Sequence, residues 1–187
     1  MTDRTTGAMG TARLRTMRTI ALAYLGAIPV MTIALVFVAP SSDPWGMPDL
    51  PGLIAPAVVG VAAWAGIITV GFRVPPLPAS NVRVRDDAGV AAYQSTMFVR
   101  MAFATLPALV SVALLFSLPG ATMITYAIGG AISLVLLAVY VYPNRFNAHL
   151  VERRLDGAGA RSGLVEALGL GDGPATPTDY TGSATFH

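Results

Sequence analysis

Residues 101–144 read MAFATLPALVSVALLFSLPGATMITYAIGGAISLVLLAVYVYPN, 44 consecutive positions without a charged side chain. A helix needs about 20 apolar residues to cross the ~30 Å hydrocarbon layer of a bilayer while satisfying its own backbone polar groups. This stretch is about twice that length, and Pro119-Gly120, a pair that favours a tight turn, breaks it near its middle. It predicts a helical hairpin of two membrane spans, about 98–118 and 121–142.

Two further charge-free runs lie upstream, Thr19–Ser42 and Leu50–Phe72. Each suffices for one crossing, with apolar bodies at 20–39 and 53–72. The expected fold class is therefore all-α, an integral membrane four-helix bundle made of two consecutive hairpins. A basic segment (1–18), the transmembrane domain (19–144) and an amphipathic segment with a disordered tail (145–187) make up the organisation. Composition agrees: of 187 residues, 54% are hydrophobic and 12% charged, with a mean hydropathy of +0.63, whereas soluble domains carry roughly 25% charged residues.

Short loops retained in the cytoplasm hold the excess of basic residues. Arg4, Arg13, Arg15 and Arg18 precede the first span, Arg73, Arg83 and Arg85 separate the second and third, and Arg145, Arg153, Arg154 and Arg161 follow the fourth. The opposite loops hold no basic residue. Both termini are thus expected in the cytoplasm. The exclusive use of arginine over lysine, with abundant Ala, Gly, Val and Pro, reads as a GC-rich bacterial genome, and the membrane as a bacterial cytoplasmic membrane. A cleaved signal peptide fits poorly, since the first apolar stretch exceeds the 7–15 residues of a signal core and Pro40 follows the small-residue site at Ala39.

Within the spans, Pro29 and Pro107 each remove a backbone donor and predict kinks. Small residues four apart (Ala23 and Ala27, Ala62 and Gly66, Ala104 and Ala108, Gly129 and Ser133) offer low relief for close helix approach. The densest patch, Gly129-Gly130-Ala131, is the expected tightest contact. Thr32, Thr105 and Ser111 are the candidate lining of a polar path, or partners for backbone groups. Trp64 falls mid-helix, away from the interfacial belt, where packing is the simplest account. An echo, IALVFVAP at 33–40 and VALLFSLP at 112–119, raises the question of a two-plus-two duplication, although apolar helices match readily by chance.

An ionisable group at membrane depth is a functional-site hypothesis, and none falls in the predicted helix cores. Arg100, placed near the start of its span, is expected to snorkel to the headgroups. Arg13, Arg15, Arg18, Arg83, Arg85, Arg153 and Arg154 are further candidate lipid-headgroup contacts. Phe146, Leu150 and Leu155 share one face of RFNAHLVERRL, and His149 reads as solvated. Asp43 and Asp49 alone fall short of a calcium site.

No catalytic, metal or nucleotide motif is present, and without cysteine no thiolate chemistry is possible. No cofactor or nucleic-acid partner is expected. The lipid bilayer, a second copy of the chain or a larger membrane protein are the expected partners. The favoured function is a non-enzymatic accessory or self-associating subunit. The alternatives are an oligomeric channel or facilitator for a small neutral or lipidic solute, and a membrane-surface enzyme.

Overall fold

The computed structural model describes residues 3–39, 43–74, 82–156, 164–168 and 170, and for 3–11, 82–88 and 166–167 it describes the backbone alone. All regular structure among them is helical: α1 (Asp3–Val38), α2 (Leu50–Thr69), α3 (Val82–Ser117), α4 (Met123–Leu136) continuing as a π-helical turn (Leu137–Val141), α5 (Arg145–Leu155) and the short α6 (Leu164–Ala167). Four helices are long and apolar enough to cross a membrane, and the chain is a multi-pass membrane protein.

The spans lie where the apolar runs place them, but their ends differ. At 1.5 Å per residue, α1 and α3, of 36 residues each, are about 54 Å long, well beyond the hydrocarbon thickness. Helix formation does not stop where apolarity stops: the flanks ARLRTMR and AAYQSTM are rich in residues that favour helix. The third helix, expected to begin at 98, therefore begins about four turns earlier, at Val82, and its apolar span begins at Gly89. The fourth, expected as one helix over 121–142, changes to π geometry at Leu137.

The two expected hairpins are not equivalent. α3 and α4 pack along one another through the Pro119-Gly120 turn, and α2 packs against both. α1 instead leans on α4 and its π turn, with Leu35 reaching a small cluster of Leu115, Met123 and Tyr126. In its apolar stretch 17% of positions are buried, against 44% in α4, so α2–α4 form the compact part and α1 flanks it.

The loop before α2 is tied to the α3–α4 turn. Met123 N donates to Pro44 O at 2.8 Å and Asp49 N to Gly120 O at 3.1 Å, which satisfies an amide that the start of α4 would otherwise leave orphaned.

At the arginine-rich end, α5 and α6 fold back under the bundle. Ala148, Val151, Leu155, Leu164, Val165, Leu168 and Leu170 join Leu14, Met17, Val90 and Tyr93 in the main core. One expectation is corrected here: the buried face of α5 is Asn147, Ala148, Val151 and Leu155, while Phe146 is 61% exposed. The short amphipathic turn that the sequence places around Leu164–Leu170 is present as α6, with Leu164, Val165, Leu168 and Leu170 buried. Residues 171–187 lie outside the described ones.

Candidate functional site

The most unusual side chain in the bundle is Arg100. It is fully buried, which corrects the expectation that it reaches the headgroups: with α3 beginning at Val82, Arg100 sits at mid-helix, enclosed by α2, α3 and the π turn. Its Nε donates to Thr96 O at 3.2 Å, its Nη1 to Tyr140 O at 2.8 Å, and its Nη2 reaches Thr96 Oγ1 at 3.5 Å. The guanidinium also lies over the Phe72 ring at 4.6 Å and the Tyr93 ring at 5.4 Å from the centroids. A desolvated cation over aromatic faces is worth about 2 kcal/mol, and the carbonyls supply the dipoles that a buried charge needs.

Glycine makes room for this side chain. A Cβ at Gly71 would stand 2.6 Å from Arg100 Cγ and 2.6 Å from Ile67 O, closer than carbon can approach either. The end of α2 is thereby able to lie directly on the arginine stem.

The π turn follows from Pro143. Proline has no N–H, so Val139 O, four residues earlier, loses its α-helical donor. Asn147 Nδ2 replaces it, donating to Val139 O at 3.0 Å and to Tyr142 O at 3.1 Å, while Tyr142 N closes the wide turn onto Leu137 O at 2.9 Å. Asn144 caps α5 by accepting from Asn147 N at 2.8 Å. Tyr140 then joins three spans: its carbonyl takes Arg100 from α3, and its hydroxyl accepts Trp64 Nε1 from α2 at 3.0 Å. Arg154 of α5, which is exposed, donates to Phe72 O at 3.0 Å and so closes the end of α2.

A second polar joint sits around Pro107. Ala108 N donates to Ser133 Oγ at 3.0 Å, and Ser111 Oγ donates to Pro107 O at 2.8 Å. Gly129 faces both, since a Cβ there would be 2.5 Å from Pro107 O. Pro107, Ser111, Gly129 and Ser133 are thus brought together, and Gly130 lies against Ile28 and Tyr126.

The other sequence candidates are dispersed. Pro29 and Thr32 line a shallow groove of about 360 Å³ between α1 and α4. Thr32 Oγ1 donates to Ile28 O at 2.9 Å, and Tyr126 OH donates to that same carbonyl at 3.1 Å. Thr105 Oγ1 donates to Met101 O and Ala102 O. Thr32, Thr105 and Ser111 therefore each bond a carbonyl of their own helix rather than forming one path. Ala62 is exposed and Gly66 half-buried against Phe103; the small residues buried on α2 are Gly52, Gly60 and Ala63. Gly66 thus meets α3 closely, a Cβ there standing 2.6 Å from Phe103 Cε1, and the correction concerns Ala62 alone, whose place on the packed face is taken by Ala63.

Arg13, Arg15 and Arg153 are exposed and Arg18 is half-buried; the side chains of Arg83 and Arg85 lie outside the described residues. Comparison with protein-family models, with curated protein sequences and with solved structures returned no match. Among the described residues no group of His, Cys, Asp and Glu is arranged to hold a metal ion.

The signals for the arginine joint were present but unassembled. Gly71, Thr96, Asn147 and Tyr140 are single residues spread over 77 positions, and only the packing of α2, α3 and α5 reveals that they converge.

Proposed function

We propose that this protein is a non-enzymatic multi-pass subunit of a bacterial cytoplasmic membrane, with both termini cytoplasmic, that works by associating with a second copy or with a larger membrane protein. The observation that carries this reading is α1. It is a full-length span with little of its surface used inside the chain, and Ala23, Gly26, Ala27, Val30 and Ala34 are exposed on it. No atom from outside its own helix lies within 4 Å of a Cβ placed at Gly26. A smooth small-residue face of this kind lets another helix backbone approach closely, where packing rather than hydrophobic transfer drives association.

The interior supports the same reading. Its polar groups are directed at helix backbones: Arg100 at Tyr140 O, Ser133 at Ala108 N, Tyr126 at Ile28 O, Asn147 at Val139 O. A framework of this sort rigidifies a bundle. The channel reading draws on Thr32, Thr105 and Ser111, and has less support because each hydroxyl is committed to its own helix.

The test is purification in native-lipid discs followed by mass spectrometry of the intact particle. A dimer, higher oligomer or stoichiometric membrane partner is expected, and Gly26→Leu should dissociate it. Recovery of a monomer without any partner would overturn the proposal.

A further inference from the structure

The arginine-rich half of α1 extends past the helix that supports the rest of it. α1 and α4 run antiparallel: a Cβ placed at Gly130 would meet Ile28 Cγ2 at 3.4 Å, and Leu35, further along α1, packs with Met123, nearer the start of α4. In the other direction, at 1.5 Å per residue, Leu14 lies about 21 Å from Ile28, whereas the π turn ends at Val141, about 16 Å from Gly130. Leu14 therefore lies beyond the end of the fourth span. Even so, Leu14 and Met17 are only 6% and 2% exposed.

What covers them includes α6. Besides α4 and the π turn, α1 packs against α6, and Leu14 and Met17 share one core with Leu164, Val165, Leu168 and Leu170. On its other side α6 packs against α3 and α5. Leu164 Cδ1 and Leu155 Cδ1 both come within 4 Å of where a Cβ on Gly89 would stand, so α5 and α6 meet α3 together at this glycine. One short segment thus ties the free end of α1 to the rest of the arginine-rich end.

The tie is built to let go. α6 has four residues, and its backbone bonds, Leu168 N to Leu164 O at 3.0 Å and Leu170 N to Val165 O at 2.9 Å, close only its own turn. A single turn fixes several dihedrals for very few hydrogen bonds and does not persist in water without packing. Burial of four aliphatic side chains is what keeps it in place. Glycines stand beside it in the sequence at 163, 169 and 171, and they offer no side chain to strengthen the hold. Segments with so few contacts of their own open at lower free energy than the helices they lie on.

We infer that α6 is a detachable clamp: it holds the arginine-rich half of α1, at Leu14 and Met17, onto α3 and α5, and its release frees that half of α1 while the bundle of α2–α4 stays packed. Clamping in this sense is independent of what α1 meets in the bilayer.

The experiment uses the full chain, which has no cysteine, in lipid discs, with single cysteines labelled by a water-soluble maleimide. Leu14→Cys should label at least about tenfold more slowly than the exposed Arg153→Cys, yet faster than Ala148→Cys on the buried face of α5, because opening of the clamp uncovers the first and not the last. Leu168→Asp puts a carboxylate where burial is strongly unfavourable and should raise the Leu14→Cys rate by about tenfold or more, with the Ala148→Cys rate unchanged. The Ala148→Cys rate separates release of a clamp from loosening of the whole arginine-rich end. If Leu168→Asp fails to fold, Leu168→Ala decides the matter through the same two rates. A Leu14→Cys rate that Leu168 does not affect, one as slow as Ala148→Cys in the otherwise wild-type chain, or a rise shared equally by Leu14→Cys and Ala148→Cys would overturn the proposal.

Discussion

Two adjacent glycines on α4 should respond to the same substitution with opposite sign. A Cβ at Gly129 would stand 2.5 Å from the Pro107 carbonyl oxygen and closer still to Ser111 Oγ. The first is backbone and cannot rotate away, so α3 and α4 must separate by roughly 0.5–1 Å, a gap that forfeits a quarter to a half of the dispersion well for each atom pair it opens. Such overpacking costs about 1–3 kcal/mol. Separation also stretches the 3.0 Å bond from Ala108 N to Ser133 Oγ, and an interhelical hydrogen bond in a membrane protein contributes about 0.6 kcal/mol on average. Better helix propensity returns up to about 1 kcal/mol, leaving Gly129→Ala destabilised by about 1–3 kcal/mol. At Gly130 the nearest atoms are Ile28 Cγ2 at 3.4 Å and the Tyr126 ring at 3.8 Å, ordinary contact distances. Gly130→Ala should therefore be neutral or stabilising by up to about 1 kcal/mol. Reversible unfolding in mixed micelles, or thermal unfolding in lipid discs, reads both. If the two variants shift in the same direction, or Gly129→Ala unfolds no earlier than the wild type, the close approach at Pro107 is wrong.

Arg100→Ala should lower stability by about 3 kcal/mol or more, because it empties a large buried volume and orphans Tyr140 O; Arg100→Lys should not restore it, since an ammonium cannot lie flat on Phe72 and Tyr93, and unfolding midpoints of both variants check this. Asn147→Leu leaves Val139 O without a substitute for the donor that Pro143 denies it and removes the side-chain donor to Tyr142 O, at about 1–3 kcal/mol for each buried orphan, and hydrogen exchange in α5 should rise above that in α3. The chain has no cysteine, so Met47→Cys and Arg153→Cys can be labelled singly with an impermeant maleimide: Met47→Cys should react in intact cells and Arg153→Cys only after permeabilisation, the reverse pattern refuting the orientation drawn from the arginines.

Spans were legible in the sequence because a bilayer imposes a length and an apolarity that few other constraints produce. Pro119-Gly120 gave away the α3–α4 turn, and the glycine pair at 129–130 marked the stretch where α4 meets Pro107 and Ile28. What escaped was everything that depends on where a helix ends rather than where it is apolar. Placing the start of α3 at 98 put Arg100 at an interface; the helical flank from Val82 puts it inside. Ala62 failed for a related reason. Four-residue spacing is shared by several faces of an alanine-rich helix, and only the facing residues Phe103 and Ile132 select the one that packs. The echo of IALVFVAP in VALLFSLP also divides on packing: at its matched spacing Leu35 is buried where Leu114 is half-buried, and Val36 is exposed where Leu115 is buried.

The attachment of α1 bears on how the chain is assembled. Its bond to the rest of the bundle, from Tyr126 OH to Ile28 O, joins residues 98 positions apart, and the helix it leans on is the last of the four spans to be synthesised. The first span made must therefore wait in the lipid through two further insertions before its mate arrives. During that interval its exposed glycine and alanine face is open to capture by insertion machinery or by a neighbouring chain, so that a ribosome stalled before residue 123 would release a protein whose first helix has not yet been claimed.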